Sequence, residues 1–326
     1  MIITRTPLRI SFVGGGTDFE DYYRSHGGQV ISTTIDKFVY VTVNHKFDEK
    51  IHLRYAKTEC VDNVDDLQHN IARESLKMVG IKKGIEITII SDIPSQGSGL
   101  GSSSSLSVGL LKALYAFTDV ALLKSQSARK ACSLEIDILK SPIGRQDQYA
   151  ASYGGLNKIV FHENDQITVN KITDKTVLKK RLQWLKDSTM LFYLSTRSSN
   201  NILDGHKNTI DEKIHILDNQ KKLVIPFMNW LYGKTDNQFL GNLITKCWEY
   251  KKIMTPLATS DYIDDLINTA IKSGAVGAKL CGAGGGGFLM VICDKQHQNN
   301  VRNSLNNLLE LEFCFENEGA KIIYED

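Results

Sequence analysis

The feature that most constrains this chain is a glycine- and serine-rich run at residues 97–104, set between a strand pattern and a helix pattern. Before the run, Ile85, Ile87 and Ile89 alternate with polar residues, as in a half-buried strand. After it, apolar residues recur with helical spacing over 106–117. A glycine loop that opens a helix collects the free amides of the helix's first turn, which with the helix dipole form an anion site. The sequence therefore predicts a phosphate-binding loop rather than a flexible linker.

The composition excludes several functional classes. The chain has 326 residues, and its 39 lysines and arginines against 37 acids leave a formal net charge of +2. That balance gives no electrostatic footprint for nucleic acid or an anionic membrane. No apolar run approaches the roughly 20 residues of a membrane span, and no apolar signal core is seen near the N-terminus. We therefore expect a cytoplasmic protein that binds neither nucleic acid nor membranes.

The cysteines and histidines show no metal or disulfide pattern. The six cysteines are scattered and include no Cys-x-x-Cys pair, which argues against a disulfide framework or a zinc site in a chain of this size. We expect reduced thiols, most of them buried as small hydrophobic side chains. The eight histidines show no metal-binding spacing either.

The order of predicted elements favours an α+β protein. Strand composition is found at residues 38–43 and 190–194, and residues 200–250 have a helical, charged pattern. Helices are also expected over residues 260–273 and around 301–309. Because strands and helices follow one another in irregular order, we expect α+β rather than a doubly wound sheet.

Two further glycine-rich segments complete a set of three. Residues 5–18 read Arg-Thr-Pro-Leu-Arg-Ile-Ser-Phe-Val-Gly-Gly-Gly-Thr-Asp, and residues 279–288 read Lys-Leu-Cys-Gly-Ala-Gly-Gly-Gly-Gly-Phe. With residues 94–104 between them, they resemble in order the three motifs of the GHMP kinases. This is the family of galactokinase, homoserine kinase, mevalonate kinase and phosphomevalonate kinase. The resemblance spans nearly the whole chain.

The resemblance implies a fold, cofactors and partners. The family fold has two α+β domains, an N-terminal one resembling a ribosomal-protein module and a C-terminal ferredoxin-like one, with the active site between them. We place these domains at residues 1–185 and 186–326. The implied cofactors are ATP and Mg²⁺, and the sequence leaves the oligomeric state open, with a homodimer as one option. The ATP-binding residues implied by the second motif are Gly97, Ser98, Gly99, Leu100, Gly101, Ser102, Ser103 and Ser104.

Two acids compete for a metal-binding role on the helix predicted over residues 127–140. Glu135 shares its helical face with small and apolar residues, whereas Asp137 shares its face with lysines and a serine. Glu135 is therefore expected to point inward, where a buried carboxylate usually has a charged partner or a metal. An inward salt bridge to an arginine is the alternative. In the family, a glutamate on this helix and a serine of the second motif hold magnesium. Glu135 and Ser103, or its neighbour Ser102, match those positions.

Residues 144–148, Gly-Arg-Gln-Asp-Gln, resemble the Gly-x-x-Asp-Gln segment of sugar-type GHMP kinases, whose aspartate faces the sugar hydroxyl. Asp147 is therefore the expected base or orienting acceptor. An N-cap of the following helix is the alternative. Arg9 matches the position where several family members place a cation beside that aspartate. Such a cation would stabilise the transferring phosphoryl group.

The remaining site residues also come from the resemblance. Gly16, Thr17 and Asp18 resemble the Thr-Asp segment that binds sugar hydroxyls in galactokinase-like members, with turn capping as the alternative for Asp18. Arg197 follows a predicted strand and resembles a substrate-side element of the sugar kinases, with a structural role as the alternative. The third glycine segment is expected near the nucleotide's phosphates, with a tight packing turn as the alternative. Its Gly284 and Gly285 are further candidates for substrate binding.

Within the family, residues 14–18 and 144–148 look closest to the bacterial D-glycero-D-manno-heptose 7-phosphate kinases, with the fucokinases next. Both groups act at the anomeric hydroxyl. The resemblance thus implies ATP and a sugar phosphate as partners, a 1,7-bisphosphate as product, and a role in nucleotide-heptose and surface-glycan synthesis. A non-catalytic sugar and ATP sensor is the alternative from another class. The presence of Ser103, Glu135 and Asp147 argues against it.

Overall fold

The computed structural model describes residues 1–94, 97–173, 176–195 and 213–326. The strands are β1 Ile2–Val13, β2 Gly28–His45, β3 Ile51–Arg54, β4 Thr58–Val61, β5 Ile85–Ser91, β6 Asn157–Phe161, β7 Ile167–Lys171, β8 Thr189–Ser195, β9 Ala275–Leu280, β10 Gly287–Cys293, β11 Leu309–Glu310, β12 Phe315–Glu316 and β13 Lys321–Glu325. The α-helices are α1 Glu20–His26, α2 Asn70–Val79, α3 Ser102–Phe117, α4 Lys124–Cys132, α5 Gln146–Tyr153, α6 Thr176–Ser188, α7 Ile214–Lys222, α8 Val224–Leu231, α9 Asn237–Met254, α10 Asp261–Lys272 and α11 Gln298–Ser304. A π-helix covers Ser133–Ile138, and short 3₁₀ helices cover Val64–Asp66, Pro256–Ala258 and Lys295–His297.

The larger sheet is built around the two long strands β1 and β2. Its main order is β13-β1-β2-β5-β3-β4, with β6 and β12 also pairing β2 and β7 pairing β6. The pairs are antiparallel except for β3 with β5. β2 is 18 residues long, so its first part pairs with β6 and its last part pairs with β5. The last strands of the chain, β12 and β13, therefore lie in the same sheet as the first.

Helix α3 packs closely on this sheet. Thr4 Oγ1 donates a 3.0 Å hydrogen bond to the carbonyl of Gly109, in the middle of the helix. A Cβ at Gly109 would lie 2.5 Å from Thr6 Oγ1, so a larger residue could not approach β1 this closely. Glycine normally destabilises a helix interior by about 1 kcal/mol relative to alanine. Here it allows the helix that carries the phosphate loop to sit against the strand that carries Arg9.

The smaller sheet has the order β11-β8-β10-β9, and all its pairs are antiparallel. Helices α9 and α10 pack against β9, and β10 is buried along its whole length. One segment near this sheet was predicted wrongly. The helix expected around residues 301–309 is instead α11, which ends at Ser304, and Leu309 pairs with Tyr193 of β8. Pairing along a sheet edge thus overrides the helical spacing of the leucines.

The other expected elements are confirmed where the structure describes them. β5, α3, β8 and α10 lie at their predicted positions. All six cysteines are free thiols, with Cys132, Cys247, Cys281 and Cys293 buried and Cys60 and Cys314 exposed. Over the described residues, no helix combines the length and the apolar character that crossing a membrane requires.

Candidate active site

The phosphate loop lines a large cleft. The cleft has a volume of about 1130 Å³, and β1, the loop, the π-helix, α9 and β9 all contribute to its wall. Gly99 and Gly101 adopt φ values of 77° and 79°, a left-handed conformation that glycine reaches without strain. Gly101 is the residue before α3, so the helix's first amides open toward the cleft. Of the residues expected to bind ATP, all line the cleft except Leu100, whose side chain is fully buried.

Arg9 and Asp147 form a bidentate ion pair at the floor of the cleft. Arg9 Nε donates to Asp147 Oδ1 at 2.7 Å, and Nη2 donates to Oδ2 at 2.6 Å. The third nitrogen, Nη1, donates to the carbonyl of Gly99 at 2.6 Å, so Arg9 ties the aspartate to the phosphate loop. Arg9 is only 5% exposed. The residue before α5 is Arg145, so Asp147 is not the N-cap of that helix, and this alternative was wrong.

A second carboxylate faces the loop from the π-helix. Glu135 is 1% exposed, and its Oε1 accepts a 2.7 Å hydrogen bond from Ser103 Oγ. Its Oε2 accepts a 2.7 Å bond from Gln148 Nε2. Burial raises the pKa of Glu135, and these hydrogen bonds oppose the rise only in part. Asp137 is exposed, so the predicted orientation of the two acids is confirmed. In the described part of the chain no arginine pairs with Glu135, and Ser102 bonds Ser98 instead.

Asp18 holds two turns together at the edge of the cleft. Its Oδ1 accepts hydrogen bonds from the amide of Gly16 at 3.0 Å and from Gln146 Nε2 at 3.2 Å. Its Oδ2 accepts from the amide of Gln146 at 3.1 Å. A Cβ at Gly144 would lie 2.0 Å from Asp18 Oδ2, so only glycine fits the turn at that position. Burial raises the pKa of Asp18, and the negative charge of Asp147 adds to the rise. The capping role is thus present, while Gly16 and Asp18 also line the cleft.

The third glycine segment packs against the phosphate loop. The amide of Phe288 donates to the carbonyl of Ser98 at 3.1 Å, and a Cβ at Gly287 would lie 2.4 Å from the same carbonyl oxygen. Gly284 and Gly285 turn instead toward Ala258, whose carbonyl accepts a 2.6 Å hydrogen bond from the Gly285 amide. They are not part of the cleft wall.

Of the remaining expected residues, Thr17 lies apart from the cleft and Arg197 is not among the described residues. Thr17 is fully buried behind the wall, where its hydroxyl donates to the carbonyl of Gly14 and accepts from the amide of Gln29. Arg197 lies outside the described residues.

Sequence reasoning missed three residues that the structure places at the site. Gln148 orients Glu135, Gln146 bonds Asp18, and Lys279 lines the cleft from β9. Gln146 and Gln148 flank Asp147 in the Gly-x-x-Asp-Gln segment, and Lys279 is the first residue of the third glycine segment. Position in a motif was therefore the available signal, but only the tertiary contacts give each side chain a partner.

Comparison with known proteins agrees with this geometry. The GHMP kinases N terminal domain model matches residues 66–155, and the GHMP kinases C terminal model matches residues 234–311. A D-glycero-alpha-D-manno-heptose 7-phosphate kinase from Campylobacter jejuni is 31% identical over 98% of both chains. The chain belongs to the GHMP kinases. As a member of this family it is a phosphotransferase with an alcohol group as acceptor.

Other GHMP kinases resemble the chain at lower identity. A Bacteroides fragilis L-fucokinase/L-fucose-1-P guanylyltransferase is 28% identical over 92% of this chain, which spans only 35% of that longer protein. The crystal structure of a D-glycero-D-manno-heptose 1-phosphate kinase from Bacteroides thetaiotaomicron covers 100% of both chains, with a TM-score of 0.80 and 24% identity. At that identity the likeness shows the GHMP kinase fold, in agreement with the α+β expectation.

Proposed function

We propose that this kinase transfers the γ-phosphate of ATP to the anomeric hydroxyl of D-glycero-D-manno-heptose 7-phosphate. The product would be the 1,7-bisphosphate, a precursor for nucleotide-heptose and surface-glycan synthesis. The single observation behind this substrate is the full-length match to the Campylobacter jejuni heptose 7-phosphate kinase. The cleft supports the reaction type, because it brings a phosphate loop, an ion-paired aspartate and a buried carboxylate to one wall.

The cleft suits ATP at the phosphate loop. Ser102, Ser103 and Ser104 line the cleft at the first turn of α3, where free amides and the helix dipole favour a polyphosphate. The cleft wall also includes Tyr55 and Ile89 among polar residues such as His69 and Asn70, a mixture that suits a nucleotide base.

Ser103 and Glu135 fit a magnesium ion. Both supply the oxygen ligands that Mg²⁺ prefers, and a buried carboxylate with a raised pKa gains from a nearby cation. The described residues contain no group of three or more His, Cys, Asp or Glu side chains arranged for a metal. Two protein ligands are nevertheless enough, because Mg²⁺ at kinase sites keeps waters and binds substrate phosphates. Bound there, the ion would neutralise charge on the phosphates of ATP.

Asp147 is placed to orient the attacking hydroxyl. Its side chain remains 21% exposed toward the cleft, so an acceptor hydroxyl can reach it although Arg9 already binds both oxygens. Arg9 fixes the position of the carboxylate and brings positive charge beside the phosphate loop, where charge builds up during transfer. Phosphoryl transfer requires mainly such positioning and charge neutralisation.

A fucokinase-like activity is the second candidate. It is supported by the 28% identity to the Bacteroides fragilis enzyme over most of this chain. The two candidates differ in a simple way, because fucose carries no phosphate and the heptose substrate carries one far from the reacting hydroxyl.

The proposal is tested by steady-state kinetics on a sugar panel, followed by ³¹P NMR of the product. The panel contains D-glycero-D-manno-heptose 7-phosphate, the 1-phosphate, unphosphorylated heptose, L-fucose and galactose. We expect the highest kcat/KM with the 7-phosphate, and a product with one ester phosphate and one anomeric phosphate. A higher kcat/KM with fucose or another unphosphorylated sugar would reject the heptose 7-phosphate assignment, while the kinase class would stand.

A further inference from the structure

One buried charge in the cleft is not used by the chemistry described above. Lys279 is 7% exposed, and its ammonium donates to the carbonyl of Phe12 at 2.6 Å. Its other neighbour is Cys247 Sγ at 3.7 Å. Among the described residues, no carboxylate pairs with this lysine within the 4.0 Å limit of an ion pair. Lysine is almost never buried to this extent without a partner for its charge. An anion entering the cleft would supply that partner.

Helix α9 brings further hydrogen-bond donors to the same cleft. Lys251 lines the cleft, and its ammonium donates to the carbonyl of Gly282 at 2.6 Å. One helical turn earlier, Trp248 lines the same wall while only 2% exposed. Its indole Nε1–H is buried without a hydrogen-bond acceptor among the described residues. Buried polar groups normally have a partner, so a donor of this kind indicates a ligand or an ordered water. Lys279 and Lys251 therefore both bring an ammonium group to the wall formed by α9 and β9.

Lys279 is offset from the phosphate loop along β9, whereas Lys251 binds the carbonyl of Gly282, next to the residue that meets the loop. Cys281, the residue after β9, meets the loop, since a Cβ at Gly99 would lie 2.6 Å from the Cys281 carbonyl oxygen. Lys279 is two residues earlier on the strand, which corresponds to roughly 7 Å. Its contact, Phe12, is three residues beyond Arg9 on β1, or roughly 10 Å along that strand. A sugar whose reacting hydroxyl meets Asp147 could therefore extend along β1 past Ser11, which also lines the cleft, toward Lys279.

We propose that Lys279 and Lys251 form a subsite for a second phosphate group on the sugar, distant from the hydroxyl that receives the γ-phosphate. The inference rests on the proposed function only in requiring a sugar phosphate as acceptor. It assigns the recognition of the distal phosphate to the α9–β9 wall, and it does not depend on which phosphorylated sugar is used.

The test compares Lys279→Met and Lys251→Met with wild type on heptose 7-phosphate and on unphosphorylated heptose. Charge-assisted hydrogen bonds predict that each variant loses roughly 10- to 100-fold in kcat/KM on the phosphorylated sugar, mainly through KM. On the unphosphorylated sugar we expect a change of less than about 3-fold in kcat/KM, so the ratio of kcat/KM between the phosphorylated and unphosphorylated sugars falls. Lys252→Met is the matched control, because Lys252 is the next residue of α9 but pairs with Asp264 at 3.3 Å. It should behave as wild type.

Equal losses on both sugars would overturn the inference, because they would place the lysines at the transferred phosphoryl group or in the fold. Unchanged kinetics in both variants would overturn it as well. Lys251 is half-buried, so its variant provides the answer if Lys279→Met does not fold. A second readout needs no turnover: heptose 7-phosphate alone should raise the melting temperature of wild type and of Lys252→Met, but not of the other two variants.

The failure of the proposed function is seen separately in the wild type. If wild type prefers a different phosphorylated sugar, the heptose assignment fails and the same comparison is made with that sugar and its unphosphorylated form. If wild type shows no preference for any phosphorylated sugar, both proposals fail.

Discussion

At the scale of single residues, the site depends on which partner each charged group finds. Arg9 satisfies both oxygens of Asp147 and reaches the phosphate loop with its third nitrogen. Glu135 has neutral hydrogen-bond partners, Ser103 and Gln148 among them, and no cation pairs with it in the described part of the chain. One carboxylate is therefore held as an ion pair, while the other is buried with neutral partners. This difference separates their expected roles.

The change Asp147→Asn tests the first role. Asparagine keeps the shape but removes the charge and the proton-accepting ability, so kcat should fall by about 10²–10⁴. The dissociation constant for ATP, measured by calorimetry, should change little, because Asp147 is outside the phosphate loop. Asp137→Asn, on the exposed side of the π-helix, is the control and should remain fully active. Near-normal turnover of Asp147→Asn would remove this residue from the mechanism.

The change Glu135→Gln tests the second role through pH. Burial raises the pKa of Glu135 above its ordinary value of 4.5, so the folded state holds the proton more tightly than the unfolded state. The stabilisation from this group is complete below about pH 4.5 and is lost as the pH rises through the folded-state pKa. In metal-free buffer, Glu135→Gln should therefore melt at or above the wild-type temperature at pH 8. The difference should shrink toward pH 5.

Magnesium should reverse that ranking. With Mg²⁺ and ADP, wild type should gain more thermal stability than Glu135→Gln or Ser103→Ala, and both variants should need more Mg²⁺ for activity. Asp137→Asn should follow wild type in both buffers. A wild-type magnesium response in Glu135→Gln would show that the ion binds elsewhere.

At the scale of elements, the irregular segments place the site. The π-helix Ser133–Ile138 interrupts the helix expected over residues 127–140, and Glu135 lies within it. π-helical turns are rare and often occur at functional sites. Glycines of the third glycine segment also position the site. Gly287 has a φ of 80° and packs against the carbonyl of Ser98, and this contact joins the segment to the phosphate loop.

The substitution Gly287→Ala tests this junction. A Cβ would meet Ser98 O at 2.4 Å and Gly97 O at 2.7 Å, in addition to the strain of a positive φ. We expect a loss of stability of about 2–4 kcal/mol and an increase in KM for ATP of roughly tenfold or more. Gly233→Ala is the matched control, because Gly233 has a similar φ of 77° but nothing within 4 Å of its Cβ position. It should cost about 1 kcal/mol and leave KM unchanged. Equal effects of the two changes would show that the junction does not shape the nucleotide site.

At the scale of the whole molecule, the chain closes on itself. β13 pairs with β1, so the strand that carries Arg9 is flanked by the last strand of the chain. The third glycine segment belongs to the second half of the sequence but contacts the phosphate loop of the first half. The cleft is consequently assembled from both halves, whichever residue marks the boundary between domains.

The reactivity of the cysteine thiols reports whether the whole chain is folded. Because four of the six cysteines are buried and none is paired, a thiol reagent should titrate about two groups rapidly in the native protein, Cys60 and Cys314. The other four should react only on unfolding, to a total of six without reductant. Slow release of the buried thiols should follow global unfolding rather than local opening. Fewer than six thiols in the denatured, unreduced protein would contradict the free state of the cysteines.

The sequence by itself determined the family, the fold class and the inward orientation of Glu135. The spacing of glycines and the alternation of apolar residues depend only on neighbouring positions in the chain, so they can be read from the sequence. The phosphate loop is a case in point, since strand, loop and helix are contiguous in the chain.

Only the tertiary structure decided which residues face one another. The contact of Lys279 with Phe12 spans 267 positions, and that of Arg9 with Asp147 spans 138 and was expected only through the family resemblance. Such pairs depend on how the sheets and helices pack, and no local pattern encodes them. The same reason explains why Thr17, placed with Asp18 by its motif, lies behind the wall of the cleft. It also explains why Lys279, a residue of the third glycine segment to which no function was assigned from sequence, lies inside the cleft.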